Sequence, residues 1–139
     1  MRKTARFGVS MEQDLLQSFD KLLKKIGYSS RSEAVRDLVR KRLVKEEWED
    51  TYKEVVGVIT LVYDHELREL TESLTSIQHH FYKQIISTVH IHLDKHNCLE
   101  VLIVKGKSAK IKDLAEKLIS TRGVKHGRLT TTTTGKKLA

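Results

Sequence analysis

The chain has 139 residues, of which 39% are hydrophobic, 6% aromatic and 32% charged, with a formal net charge of +8. That suits one ordinary domain or two small ones around a modest core. No apolar run approaches the ~20 residues that span a bilayer. The first residues, Met1 to Arg6, lead into neither an apolar stretch nor a small-residue cleavage site. One cysteine excludes an intramolecular disulfide framework, and a cytoplasmic location is expected.

The charge is uneven. Residues 1–45 hold 12 Lys and Arg against 5 Asp and Glu, whereas residues 46–139 hold 14 against 13. A basic excess confined to the first third points to a polyanionic partner, because Lys and Arg release counterions from phosphate backbones.

Residues Arg6 to Met11 alternate, with Phe7, Val9 and Met11 on one face and Arg6, Gly8 and Ser10 on the other. This period of two predicts a short strand. Alone, such a strand can neither bury its apolar face nor pair its backbone, and the chain offers no second strand before about residue 55. A strand from a second subunit is the simplest partner.

From Asp14 to Ile26, apolar residues recur at helical spacing (Leu15, Leu16, Phe19, Leu22, Leu23, Ile26), and Gly27 ends the pattern. Ser30-Arg31-Ser32-Glu33 has the form of a capping box opening a second helix, which is expected to run to Trp48 with Ala34, Val35, Leu38, Val39 and Leu43 inward.

Residues 49–54 read as a polar linker. Beyond it the spacing predicts a strand at Val55–Tyr63, a helix from Glu66 to about Tyr82, strands at Ile85–Leu93 and Cys98–Val104 around a turn at residues 94–97, a helix from Ser108 to about Arg122, and a Thr-rich strand from about Gly127 to Thr134. The order βαββαβ is the ferredoxin-like split unit, an antiparallel sheet with two helices on one face. The expected class is α+β, with a DNA-binding unit over residues 1–48, a linker over 49–54 and a second domain over 55–139.

A strand, a helix, a glycine turn and a capped second helix describe a ribbon-helix-helix. Two such chains pair their strands into a ribbon that fits the major groove of double-stranded DNA. The outward residues Arg6, Gly8 and Ser10 would then face base edges. Arg6 can donate to both acceptors of a guanine, and Gly8 permits close approach. Lys3, Arg31 and the amides opening the second helix would hold phosphates.

The second constellation is His79-His80, His90-Ile91-His92 and Cys98. Strand alternation puts His90 and His92 on one face, and hairpin pairing can bring the Cys98 sulfur beside them. Three imidazoles and a thiolate make a four-coordinate N/S set. Tetrahedral geometry would suit zinc, and square-planar geometry Ni(II) or Cu(II). A site closed by four protein ligands leaves no position for a reactive water. No nucleophile–base pair or phosphate-cradling loop appears, so no enzyme is expected. The remaining alternatives are a repressor sensing an amino acid or another metal, with structural histidines, and an antitoxin-like protein.

At Arg31-Ser32-Glu33-Ala34-Val35-Arg36-Asp37, Gln78-His79-His80, His90-Ile91-His92, His96-Asn97-Cys98-Leu99-Glu100, Val104-Lys105-Gly106 and Gly123-Val124-Lys125-His126-Gly127, the chain resembles the nickel-responsive transcriptional regulators (NikR). The resemblance spans nearly the whole chain and implies an ACT-type second domain in a homotetramer, a dimer of dimers. It further implies one square-planar nickel per subunit, held by His90, His92 and Cys98 with His79 from a neighbour. It places Glu33 and Asp37 at family positions near a second cation, potassium in some members. It implies repression of nickel-uptake genes through a palindromic operator. Two features depart from the family: Arg6-Phe7-Gly8-Val9-Ser10 replaces the Arg-x-Thr-x-Thr of some members, and Phe81-Tyr82 follows His80 in place of a longer His run.

Overall fold

The computed structural model describes residues 2–138. In chain order these form α1 (Gln13–Ile26), α2 (Arg31–Glu49), β1 (Glu54–Asp64), α3 (Arg68–His80), β2 (Ile85–His92), β3 (Asn97–Lys107), α4 (Ser108–Ile119) and β4 (Val124–Thr132). The chain divides into two compact units, residues 1–41 and 42–139.

In the first unit, α1 ends where Gly27 turns to φ 92°, a left-handed conformation that glycine adopts without a Cβ penalty, and its N–H returns to the Leu23 carbonyl. The capping box is half formed. Ser30 Oγ accepts the Glu33 N–H at 3.2 Å, but the Glu33 carboxylate accepts Ser29 Oγ at 2.6 Å.

Two expectations change here. The strand at Arg6–Met11 does not form: residues 2–12 carry no regular secondary structure, and Phe7, Val9 and Met11 are exposed. A strand needs a neighbouring ladder, and within one chain none is offered. Of the apolar residues expected inward, Leu23 and Ala34 are buried, while Leu15, Leu22, Ile26, Leu38, Val39 and Leu43 are exposed. Two helices are too few to cover both stripes.

The second unit holds one antiparallel sheet in the order β2-β3-β1-β4. This is the ferredoxin-like arrangement the βαββαβ order predicts. β1 alternates strictly, burying Val55, Gly57, Ile59, Leu61 and Tyr63, and its neighbour β3 buries Cys98, Glu100, Leu102 and Val104. With Leu70 and Leu74 of α3 and Ile111, Leu114, Ala115 and Leu118 of α4 they make the core. The opposite sheet face is less covered: Val89, Ile91 and Ile103 are exposed on it.

Trp48 also belongs to this core, so the last turns of α2 are part of the second unit. Leu67, within the span predicted helical, instead precedes α3 and is exposed.

β4 approaches α4 closely at Gly127, where a Cβ would meet Ile119 Cγ1 at 2.6 Å. Gly127→Ala should therefore push helix from sheet and lower stability by about 1–3 kcal/mol. Thermal denaturation followed by circular dichroism checks this, and an unchanged midpoint would refute the tight contact.

Candidate functional site

In the first unit, Lys3, Arg6, Gly8 and Ser10 are all exposed, and a Cβ at Gly8 would meet nothing within 4 Å. Arg31 is committed differently from the expectation. Its guanidinium donates twice to the Asp20 carboxylate, both bonds at 2.8 Å, and this holds Asp20 below the usual carboxylate range. A phosphate would have to compete with that pair. Glu33 and Asp37 face separate hydroxyls: Ser29 for the first and Tyr28, at 2.6 Å, for the second.

In the second unit, ladder register does what alternation predicts. His92 pairs with Cys98 and His90 with Glu100 across β2 and β3. Directly paired residues share a sheet face, so His90, His92 and Cys98 lie on the helix-covered side at the β2 edge. Cys98 is fully buried, and burial pushes its thiol up. The two imidazoles are exposed, and so is His79, in the last turn of α3.

The donors do not yet converge. His90 Nε2 lies 3.1 Å from the Glu100 carboxylate, and the His92 ring stacks on His65 at 4.7 Å and 10°. Among the described residues, the group whose donors come within 4.8 Å of one another is instead Asp64, Glu66 and His96. His90 and His92 are exposed on an edge strand, so the strand geometry fits a metal centre that side-chain rotation away from Glu100 and His65 would close. The donor chemistry fits too: two imidazoles and one thiolate suit a borderline-soft divalent ion.

Sequence reasoning missed the network behind these ligands. Glu100 is buried at 2% exposure, and it accepts Tyr63 Oη at 2.6 Å and Gln78 Nε2 at 2.7 Å besides facing His90. Burial, then the bond to Glu100, pushes the Tyr63 phenol far up, so it remains a donor. Gln78 immediately precedes His79. One carboxylate thus ties the end of α3 to the strands carrying His90 and Cys98. A signal was present: alternation puts Glu100 on the same buried face as Cys98 and Leu102, and a buried carboxylate requires partners.

The Asp64–Glu66–His96 group was also missed. It joins the β1–α3 and β2–β3 turns, with His96 Nδ1 2.9 Å from Glu66, whose hydrogen bond raises the imidazole pKa. The turn itself is set by Asp94, whose carboxylate accepts from the backbone of His96 and Asn97 and from the Asn97 side chain, and is held down to about 2.

No helix among the described residues is long and apolar enough to cross a membrane. Residues 56–132 match the model of the NikR C terminal nickel binding domain, and residues 5–46 that of the ribbon-helix-helix protein, copG family. A relative from Caldanaerobacter subterraneus named "Putative nickel-responsive regulator" is 56% identical over 133 residues, covering 96% of this chain and 86% of its own length. One of the same name from Geotalea uraniireducens is 54% identical over 138 residues, 99% of both chains. Among solved structures, an uncharacterized protein from Thermotoga maritima shares the fold of part of the chain, with a TM-score of 0.50 and 18% identity over 59% of this chain and 99% of its own. Both halves of the sequence are accounted for, and the chain belongs to the nickel-responsive regulator family, a family of transcription factors and not of enzymes.

Proposed function

We propose that this regulator is a nickel-dependent repressor of nickel-uptake genes, acting in the cytoplasm on double-stranded, palindromic operator DNA. His90, His92 and Cys98 of one subunit and His79 of a neighbour would hold one Ni(II) per chain. The observation that carries this is the β2–β3 register, which sets two imidazoles and a buried thiol on one face at the sheet edge.

Assembly as a homotetramer, a dimer of dimers, is supported by two uncovered apolar surfaces. One is the pair of helical stripes with Phe7, Val9 and Met11; the other is the sheet face with Val89, Ile91 and Ile103. The first would be covered when two Arg6–Met11 segments pair into a ribbon, leaving Arg6, Gly8 and Ser10 outward, with Lys3 and Arg31 towards phosphates. A potassium ion at Glu33 and Asp37 rests on the family resemblance alone, since different hydroxyls engage the two carboxylates.

Nickel supplies a multidentate tie between subunits when bound. His79 then links one α3 end to a neighbour's strands, and the posture of the ribbon pair is biased. A coupling of about 1–3 kcal/mol gives roughly 5–150-fold tighter DNA binding. A larger response requires multivalency, which two ribbon dimers on two half-sites provide.

Equilibrium dialysis tests the reading. One tightly held nickel per chain, diamagnetic and with a strong near-ultraviolet thiolate charge-transfer band, is expected, together with nickel-dependent retention of duplex DNA. No bound nickel would refute it and favour an amino-acid sensor. Arg6→Ala should weaken discrimination between operator and unrelated duplexes by about 1–3 kcal/mol. Unchanged selectivity in a competition assay would overturn the ribbon assignment.

Nickel binding should also depend on pH. The ligand is the thiolate, and burial raises the Cys98 thiol. Below that raised value a proton must leave on binding, so apparent affinity should climb about tenfold per pH unit and level off above it. Calorimetry in buffers of different ionisation enthalpy reads the proton released; affinity flat between pH 6 and 8 would contradict the thiolate ligand.

A further inference from the structure

Arg31 is the first residue of α2. A cation there works against the helix, whose N-terminal end carries the positive pole of its dipole and favours anions. Asp20 of α1 supplies the missing anion. Arg31 Nε donates to Asp20 Oδ1 and Arg31 Nη2 to Asp20 Oδ2, both at 2.8 Å. Both residues lie in the first unit. This two-pronged geometry is also the one in which a guanidinium holds a phosphate, so carboxylate and phosphate seek the same edge of the same group.

Acids are scarce in this part of the chain: residues 1–45 hold five against 12 Lys and Arg. Asp37 meets Arg40 through one bond at 3.4 Å, whereas Asp20 commits both oxygens to Arg31. The bond to Arg31 holds the Asp20 carboxyl below its usual range, so it stays ionised at neutral pH. The two side chains remain 58% and 43% exposed, so an incoming phosphate can reach the guanidinium without any part of the fold moving. An exposed ion pair adds little stability by itself, which leaves the cancelled charge as its main consequence.

We propose that Asp20 is an affinity-setting residue of this regulator, an internal stand-in for a DNA phosphate that occupies the Nε–Nη2 edge of Arg31 and cancels its charge. The proposal rests on the DNA binding described above. Affinity for a phosphate backbone comes from cations that displace condensed counterions. A guanidinium already neutralised displaces fewer, and to grip a phosphate by that edge it must first release Asp20. Phosphate contacts carry no sequence information. Asp20 thereby lowers retention on any duplex and leaves discrimination to the base-facing residues.

The test uses the full-length, nickel-loaded protein, a duplex selected from a random pool by the wild type, and an unrelated duplex. Dissociation constants are measured over a range of salt concentrations for wild type, Asp20→Asn, Asp20→Ser, Arg31→Gln and the Asp20→Asn/Arg31→Gln double variant, with melting temperatures alongside. Asparagine keeps the carboxylate's shape and can still accept one bond from Arg31, so the charge is lost and the packing is not. Serine also removes the charge, with a smaller side chain. The expected result is that both Asp20 variants bind both duplexes at least threefold tighter at low salt, by the same factor. Their slope of log affinity against log salt should steepen by about 0.9 for each Arg31 engaged. In the Arg31→Gln background Asp20→Asn should change neither affinity nor slope. Weaker or unchanged binding in both Asp20 variants would overturn the proposal, because Asp20 would then position Arg31 or be idle. An equal gain in the Arg31→Gln background would overturn it too, since loss of a nearby negative charge would be the whole effect. A wild type that retains neither duplex would remove the DNA-binding reading itself, and this inference with it.

Discussion

Cys98→Ala is expected to weaken nickel binding by more than about 100-fold, because loss of an outer-sphere partner alone costs about 10–100-fold and this change removes a ligand. The nickel-dependent gain in DNA affinity should disappear with it. Cys98 is the chain's only cysteine, and it sits at the start of β3, buried and paired with His92. The structural cost is smaller. Alanine removes one atom from a buried site, which leaves the sheet register intact and costs about 1 kcal/mol. Binding and folding effects are therefore separable: circular dichroism and the melting point should hold while equilibrium dialysis reports the loss. Cys98→Ser sharpens the result, since a hydroxyl fills the same space but stays protonated at neutral pH and should rescue packing without rescuing nickel. If Cys98→Ala retained full nickel-dependent DNA binding, the His90–His92–Cys98 assignment would be wrong.

Much of this was legible because local patterns suffice where neighbours lie in the same chain. The β1 alternation from Val55 to Tyr63 reappears as strict burial, and His90-Ile91-His92 with Cys98 share a face because pairing register preserves parity. The Arg6–Met11 alternation predicts a strand that is absent from the fold, for within one chain no ladder is offered to it. Leu38, Val39 and Leu43 are exposed for a like reason: among the described residues no further element covers them. Trp48 continues the helical spacing of α2, as expected, but nothing local reveals that its indole packs into the second unit. Glu100 escaped because its partners Tyr63 and Gln78 lie on other elements, far along the chain.

Glu100 therefore bears the second large effect. Glu100→Ala is expected to destabilise the second unit by roughly 3 kcal/mol, because a buried hydroxyl and a part-buried amide lose their acceptor and each such loss costs about 1–3 kcal/mol. For a unit of this size that shifts the melting midpoint by more than about 10 °C. Nickel affinity should fall about 10–100-fold in the same variant, since the carboxylate that orients His90 is gone. Glu100→Gln separates shape from charge. The amide oxygen can still accept from Tyr63, but its NH2 meets another donor at Gln78, so only part of the stability should return. The nickel defect should persist if the carboxylate's orienting of His90 is what matters. Wild-type melting and wild-type nickel affinity in Glu100→Ala would show that the carboxylate is a passenger, and the tie between α3 and the ligand strands would have to be sought elsewhere.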